Sequence, residues 1–290
     1  MELKFRQIIR GFLPIVVIFL VQNVLVFLVA GTMAYFFLAG SSTTDPTQLT
    51  NALYDHLNQL LSTPEFNTGI SVAYGVVCSL IFGVWYWRMR KPVSHDHFIG
   101  YRFWVFPGAL MLAMALQYLT GYITEVASLI APSWAAEYEV LLDSMGMAEE
   151  SVSVWLILYT VILAPITEEL CFRGLTYAYL RRGVSMWSAV VIQALLFAGF
   201  HGNFYQASYT LVFGLFMGYV YAKSENIYLT IGMHVVYNAI AMFGYHLVYL
   251  GDGPVSFYCI LLTTMMACYV SVLLITRSLP ALVEKRKDDK

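Results

Sequence analysis

The chain has 290 residues, of which 59% are hydrophobic and 12% charged, with a formal net charge of −2. Soluble domains carry about 25% charged residues, so this composition excludes an ordinary soluble enzyme and points to a protein whose solvent is the bilayer. A balance so close to neutral gives no basis for a nucleic-acid partner.

Apolar stretches able to cross about 30 Å of hydrocarbon at about 1.5 Å per residue run over Phe12 to Leu38, Ile70 to Trp87, Phe103 to Ile130 and Val152 to Leu180. They continue over Val184 to Phe200, Phe204 to Ala222, Ile227 to Val248 and Val255 to Ile275, the fifth being the shortest. The predicted fold class is therefore all-α, a polytopic membrane bundle of about eight transmembrane helices. Lys and Arg collect on the cytoplasmic side of spanning helices. Here they precede the first stretch (Lys4, Arg6, Arg10), separate the second from the third (Arg88, Arg90, Lys91, Arg102), follow the fourth (Arg181, Arg182) and the sixth (Lys223), and follow the eighth (Arg277 onward). The alternate connections, Gly40 to Gly69 and Pro132 to Glu150, contain none. Both termini are expected in the cytoplasm. The expected organisation is three N-terminal helices with an outer loop over 1–150, a core of five helices over 151–276, and a basic tail over 277–290.

The first stretch is too long for the apolar core of a signal peptide and reads as a true helix. The outer loop after it spaces Leu53, Leu57, Leu60 and Leu61 as an amphipathic surface helix would. Cys78, Cys171, Cys259 and Cys268 lie within spans without CxxC spacing and suggest neither disulfides nor a zinc knuckle. In the fourth stretch Ser151 and Ser153 can cap the helix start, and Pro165 removes a backbone hydrogen bond, which predicts a kink just before Glu168. Gly214 and Gly218 form a GxxxG that allows close helix contact.

Ionisable groups inside spans are costly and need a partner or a purpose. They concentrate at Glu168, Glu169 and Arg173 on the fourth stretch, with His201, His234 and Asn238 on later ones. Glu169 and Arg173, four residues apart, can neutralise each other, which leaves Glu168 as a candidate general base or acid. His201 and His234 exchange protons near neutrality; Asn238, one turn from His234, can donate from its amide. Counted from the basic interface at about 1.5 Å per residue, Glu168, His201 and His234 fall about 16 to 21 Å deep, in one layer. The plainer reading of Glu168 and the two histidines is a buried polar network that fixes helix packing; for Glu169 and Arg173 it is an ion pair tying helices together. His246, His95 and His97 read as interfacial or solvent-facing residues.

In this order, Glu168-Glu169-xxx-Arg173, Phe197-xxx-His201 and His234-xxx-Asn238 resemble the three motifs of the CPBP family, the CAAX proteases and bacteriocin-processing (Abi) enzymes. The resemblance covers about a hundred residues from the fourth stretch onward. It implies a glutamate protease without a ligated metal: Glu168 and His201 polarise a water, His234 and Asn238 stabilise the oxyanion, Glu169 and Arg173 orient the first glutamate, and Phe197 packs beside the site. The substrate it implies is a membrane-associated peptide or protein. The compact chain suggests a multi-pass protein of a bacterial plasma membrane. Alternatives are a zinc-dependent variant using Glu168, His201 and His234 as ligands, a non-catalytic partner-binding or bacteriocin-immunity protein, and a transporter with a proton relay. No GxSG or GxGD marks a serine or aspartyl intramembrane protease.

Overall fold

The computed structural model describes residues 2–89, 103–147, 152–244 and 248–279. His95, His97 and His246, Ser151, and most of the basic tail lie outside them. The described elements are helices: α1 (Glu2–Gly40), α2 (Pro46–Leu61), α3 (Pro64–Met89), α4 (Val105–Ile130), α5 (Pro132–Ser144), α6 (Val154–Leu180), α7 (Met186–Phe200), α8 (Phe204–Ser224), α9 (Ile227–Phe243) and α10 (Pro254–Arg277).

Each of the eight apolar stretches is helical over most of its described residues. Five of the helices, α1, α3, α4, α6 and α10, are long and apolar enough to cross a membrane, whereas α7 and α9 are shorter apolar helices. The protein is an integral membrane protein. α9 stops at Phe243, short of the expected Val248, because Gly244 closes it with a hydrogen bond back to the Ile240 carbonyl. The amphipathic segment of the first outer loop forms α2, started by Asp45, whose carboxylate accepts from the N–H groups of Thr47 and Gln48 ahead of Pro46. The connection from Pro132 to Glu150 contains α5.

Short polar turns set the bundle. Gly202 has φ +69°, a left-handed conformation that suits glycine, and the Asn203 side chain then caps α8 by accepting from Gln206 N–H. Glu225 ends α8 with φ 49°, and Asn226 caps α9 through Tyr228 and Leu229. These two turns make α7, α8 and α9 successive antiparallel neighbours. The GxxxG is a true contact surface. A Cβ on Gly214 would lie 3.2 Å from the Ala194 Cα, and one on Gly218 would collide with the Gln193 amide, which donates to the Gly214 carbonyl at 2.8 Å. α4 packs against α8, α9 and α10, while α1 and α3 flank α6 on its other side.

Candidate active site

α6 carries most of the polar groups and departs from α-helical geometry twice. Residues Tyr159–Leu163 and Glu169–Tyr177 are π-helical, on either side of an α-turn from Ala164 to Glu168. A π-turn pairs each N–H with the carbonyl five residues back, and the Ala164 N–H duly reaches Tyr159 O. The next donor would serve Thr160 O, but it belongs to Pro165 and does not exist. The Asn238 side-chain amide fills the vacancy, donating to Thr160 O at 2.8 Å. In an α-helix Pro165 would free the carbonyl of Val161, one turn back; the π register moves that orphan to Thr160. Lower on α6, Thr167 tethers the helix to α3 through the Ser79 hydroxyl (2.8 Å) and the Gly75 carbonyl (3.1 Å).

Glu168 and Glu169 straddle the ring of His234. Glu169 Oε1 accepts from His234 Nδ1 at 2.9 Å and lies 3.1 Å from Arg173 Nη1, the i, i+4 pairing expected from the spacing. Both Glu169 and Arg173 have no exposed side-chain surface. On the other edge of the ring, His234 Nε2 is 3.8 Å from Glu168 Oε2, too far for a direct hydrogen bond and close enough for one bridging atom. Glu168 keeps 12% of its side chain accessible. Two adjacent carboxylates are thus held differently: one is locked into an ion pair and a histidine, the other keeps some accessible surface.

Aromatic rings make the walls. Arg173 Cζ lies 4.5 Å from the Phe197 ring centre and 6.0 Å from that of Phe213. Its nitrogens make no well-aligned hydrogen bond among the described residues, so Glu169 and these two ring faces carry the charge; a desolvated cation over a ring gains about 2 kcal/mol. Phe213 also lies 4.7 Å from the His234 ring, and Phe197 stands edge-on to His201 at 4.9 Å.

His201 closes α7 as its C-cap. Its Nδ1 is 2.9 Å from the Phe197 carbonyl, and since a carbonyl only accepts, Nδ1 carries the proton and Nε2 of the neutral ring offers a lone pair. No hydrogen bond joins His201 to Glu168 among the described residues. Nor, among them, do three His, Cys, Asp or Glu side chains stand close enough to share a metal ion. Phe213 and the Thr160 carbonyl were not legible as site elements. Phe213 directly precedes the first glycine of GxxxG and reads as packing, and Thr160 acquires its role only through the π-turn.

Fold and site together define a polytopic membrane protein with paired glutamates and histidines buried among its helices. Residues 150–240 match the family model described as Type II CAAX prenyl endopeptidase Rce1-like. That segment contains all seven motif residues, and over it the chain is similar to the CAAX-type proteases. No curated protein and no solved structure matches the chain.

Proposed function

We propose that the protein is an intramembrane endopeptidase in which Glu168 and His201 activate a water, while His234 and Asn238 hold the oxyanion. The observation that carries this reading is the division of labour between the two carboxylates: Glu169 is spent on Arg173 and His234, and Glu168 stays accessible at 3.8 Å from His234 Nε2. Water loses a proton to Glu168, assisted by the free Nε2 of His201, and its oxygen adds to the scissile carbonyl carbon. Donation to the resulting oxyanion requires a proton on His234 Nε2, with Nδ1–H bonded to Glu169. Asn238 has two amide protons, one held by Thr160 O and the second available to the oxyanion. Collapse breaks the C–N bond, and the proton held by the base passes to the leaving amine. Glu169, Arg173 and Phe197 orient these groups without touching substrate.

The substrate is a peptide with a membrane-associated segment, a prenylated C-terminal peptide being one case the family match suggests. The Lys4 carbonyl and Ile8 lie against Gly183, so the N-terminus shares one end of the bundle with Arg181 and Arg182; with the charge sorting this supports a cytoplasmic N-terminus. The test is cleavage of membrane-anchored peptides by the purified protein in lipid, with and without a chelator. Cleavage by wild type that survives chelation and is lost in Glu168→Ala is expected. Chelator sensitivity would favour a zinc-dependent enzyme, and a folded wild type that cuts nothing would favour a partner-binding protein.

A further inference from the structure

α3 lies outside the residues that the family model covers, yet it is fastened to α6 at the level of Glu168. Thr167 donates to the Gly75 carbonyl at 3.1 Å and meets the Ser79 hydroxyl at 2.8 Å. Gly75 allows the approach, since a Cβ there would lie 3.1 Å from the Leu163 Cβ and 3.4 Å from the Tyr159 ring. The chain neighbours of this clamp are Tyr74 on α3 and Glu168 on α6. Tyr74, Tyr159 and Glu168 are close enough to interact electrostatically, and the two tyrosine rings stand 6.4 Å apart.

The two hydroxyls are placed differently. That of Tyr159 bonds the Ser71 side chain. Tyr74 is 5% exposed and sits in the core with Cys78 and Cys171, and its hydroxyl makes no hydrogen bond among the described residues. A buried tyrosine hydroxyl ordinarily has a partner. Where packing alone is needed on this face of α3, phenylalanine serves: Phe82, eight residues further along, is fully buried. The hydroxyl of Tyr74 therefore has a use beyond packing, and the proposed chemistry supplies one. The water gives one proton to Glu168 and directs the other at Nε2 of His201, which leaves two lone pairs on its oxygen. One must point at the scissile carbon. A donor to the other fixes the direction of attack, and neither an ionised Glu168 nor Nε2 of the neutral His201 ring can donate. Tyr74 brings an uncommitted O–H beside Glu168.

We infer that Tyr74 is a further catalytic residue, whose hydroxyl donates to the water held between Glu168 and His201 and aims its remaining lone pair at the substrate. Tyr74 keeps its own proton throughout, so the step needs no added acid or base. The inference rests on the protease reading. Its test compares wild type, Tyr74→Phe, Tyr159→Phe and Glu168→Gln in lipid with a membrane-anchored peptide, each checked by thermal unfolding. Tyr74→Phe is expected to lower kcat by about tenfold to a hundredfold, the scale of a misaimed reactant, with KM little changed. Tyr159→Phe, which gives up only the bond to Ser71, should keep kcat close to wild type. A second readout needs no cleavage: if Tyr74 and Glu168 hold one water, the losses of unfolding temperature in Tyr74→Phe and Glu168→Gln overlap, and the double variant loses less than their sum. Wild-type kcat in Tyr74→Phe, an equal fall in Tyr159→Phe, or additive unfolding losses would overturn the role of Tyr74 while leaving cleavage by the wild type intact. A wild type that cuts nothing would remove the protease reading; overlapping losses would then keep Tyr74 and Glu168 as a water-binding pair, and additive losses would remove that too.

Discussion

Asn238 joins a structural bond to the role proposed for it in catalysis. Its amide replaces the hydrogen bond that Pro165 cannot give to Thr160 O, so it holds the π-turn of α6, and in the proposed mechanism its second proton serves the oxyanion. The two residues are therefore coupled. Asn238→Ala is expected to lower stability in detergent by about 1 kcal/mol, the usual net worth of a hydrogen bond. In a Pro165→Ala background, where a backbone N–H can supply Thr160 O, most of that loss should vanish; thermal unfolding of the four proteins of the cycle reads the coupling. Additive losses would mean that Asn238 does not substitute for the missing donor. The spacing Glu169-xxx-Arg173 made the ion pair legible from the sequence because four residues along a helix bring side chains together. The role of Thr160 was not legible, since a π-turn depends on how α3 and α9 pack against α6 rather than on the local residues.

At the level of elements, the close approach of α7 and α8 is what brings Phe197, His201 and Phe213 round the glutamates. Gly218 is the tightest point of that contact, with the Gln193 amide occupying the space a side chain would need. Gly218→Ala is expected to destabilise the protein by about 1 to 3 kcal/mol, the range for overpacking. Gln193→Ala should relieve that clash but lose the hydrogen bond to Gly214 O. Unfolding of the single and double variants checks this, and a neutral Gly218→Ala would contradict the packing described. The helices were readable from their apolar runs, and α2 from its leucine spacing. α5 was not, because Glu137, Glu139 and Asp143 break its apolar pattern. Its order comes from tertiary contacts: Trp134 stacks on Phe204, the Tyr138 hydroxyl meets that of Tyr209 at 3.3 Å, and Asn67 donates to the Ser144 carbonyl at 3.0 Å.

For the whole molecule, the charge sorting predicts the ends of α1 on opposite sides of the membrane. A membrane-impermeant maleimide added to intact cells should label a Ser41→Cys variant and leave Leu3→Cys unlabelled until the cells are opened, both in a background lacking the exposed Cys259. The reverse pattern would invert the proposed topology. The short α7 and α9 explain how polar residues can sit within the bundle. α7 ends at His201, whose ring meets Phe197 beside the glutamates.

In the proposed mechanism Glu168 delivers a water to a peptide bond. This step is tested most directly by cleaving a membrane-anchored peptide in heavy-oxygen water and weighing the products. Wild type should place one heavy oxygen in each newly formed carboxylate in a single turnover, and folded Glu168→Gln should give no product. Cleavage retained in Glu168→Gln at the wild-type rate would contradict the account.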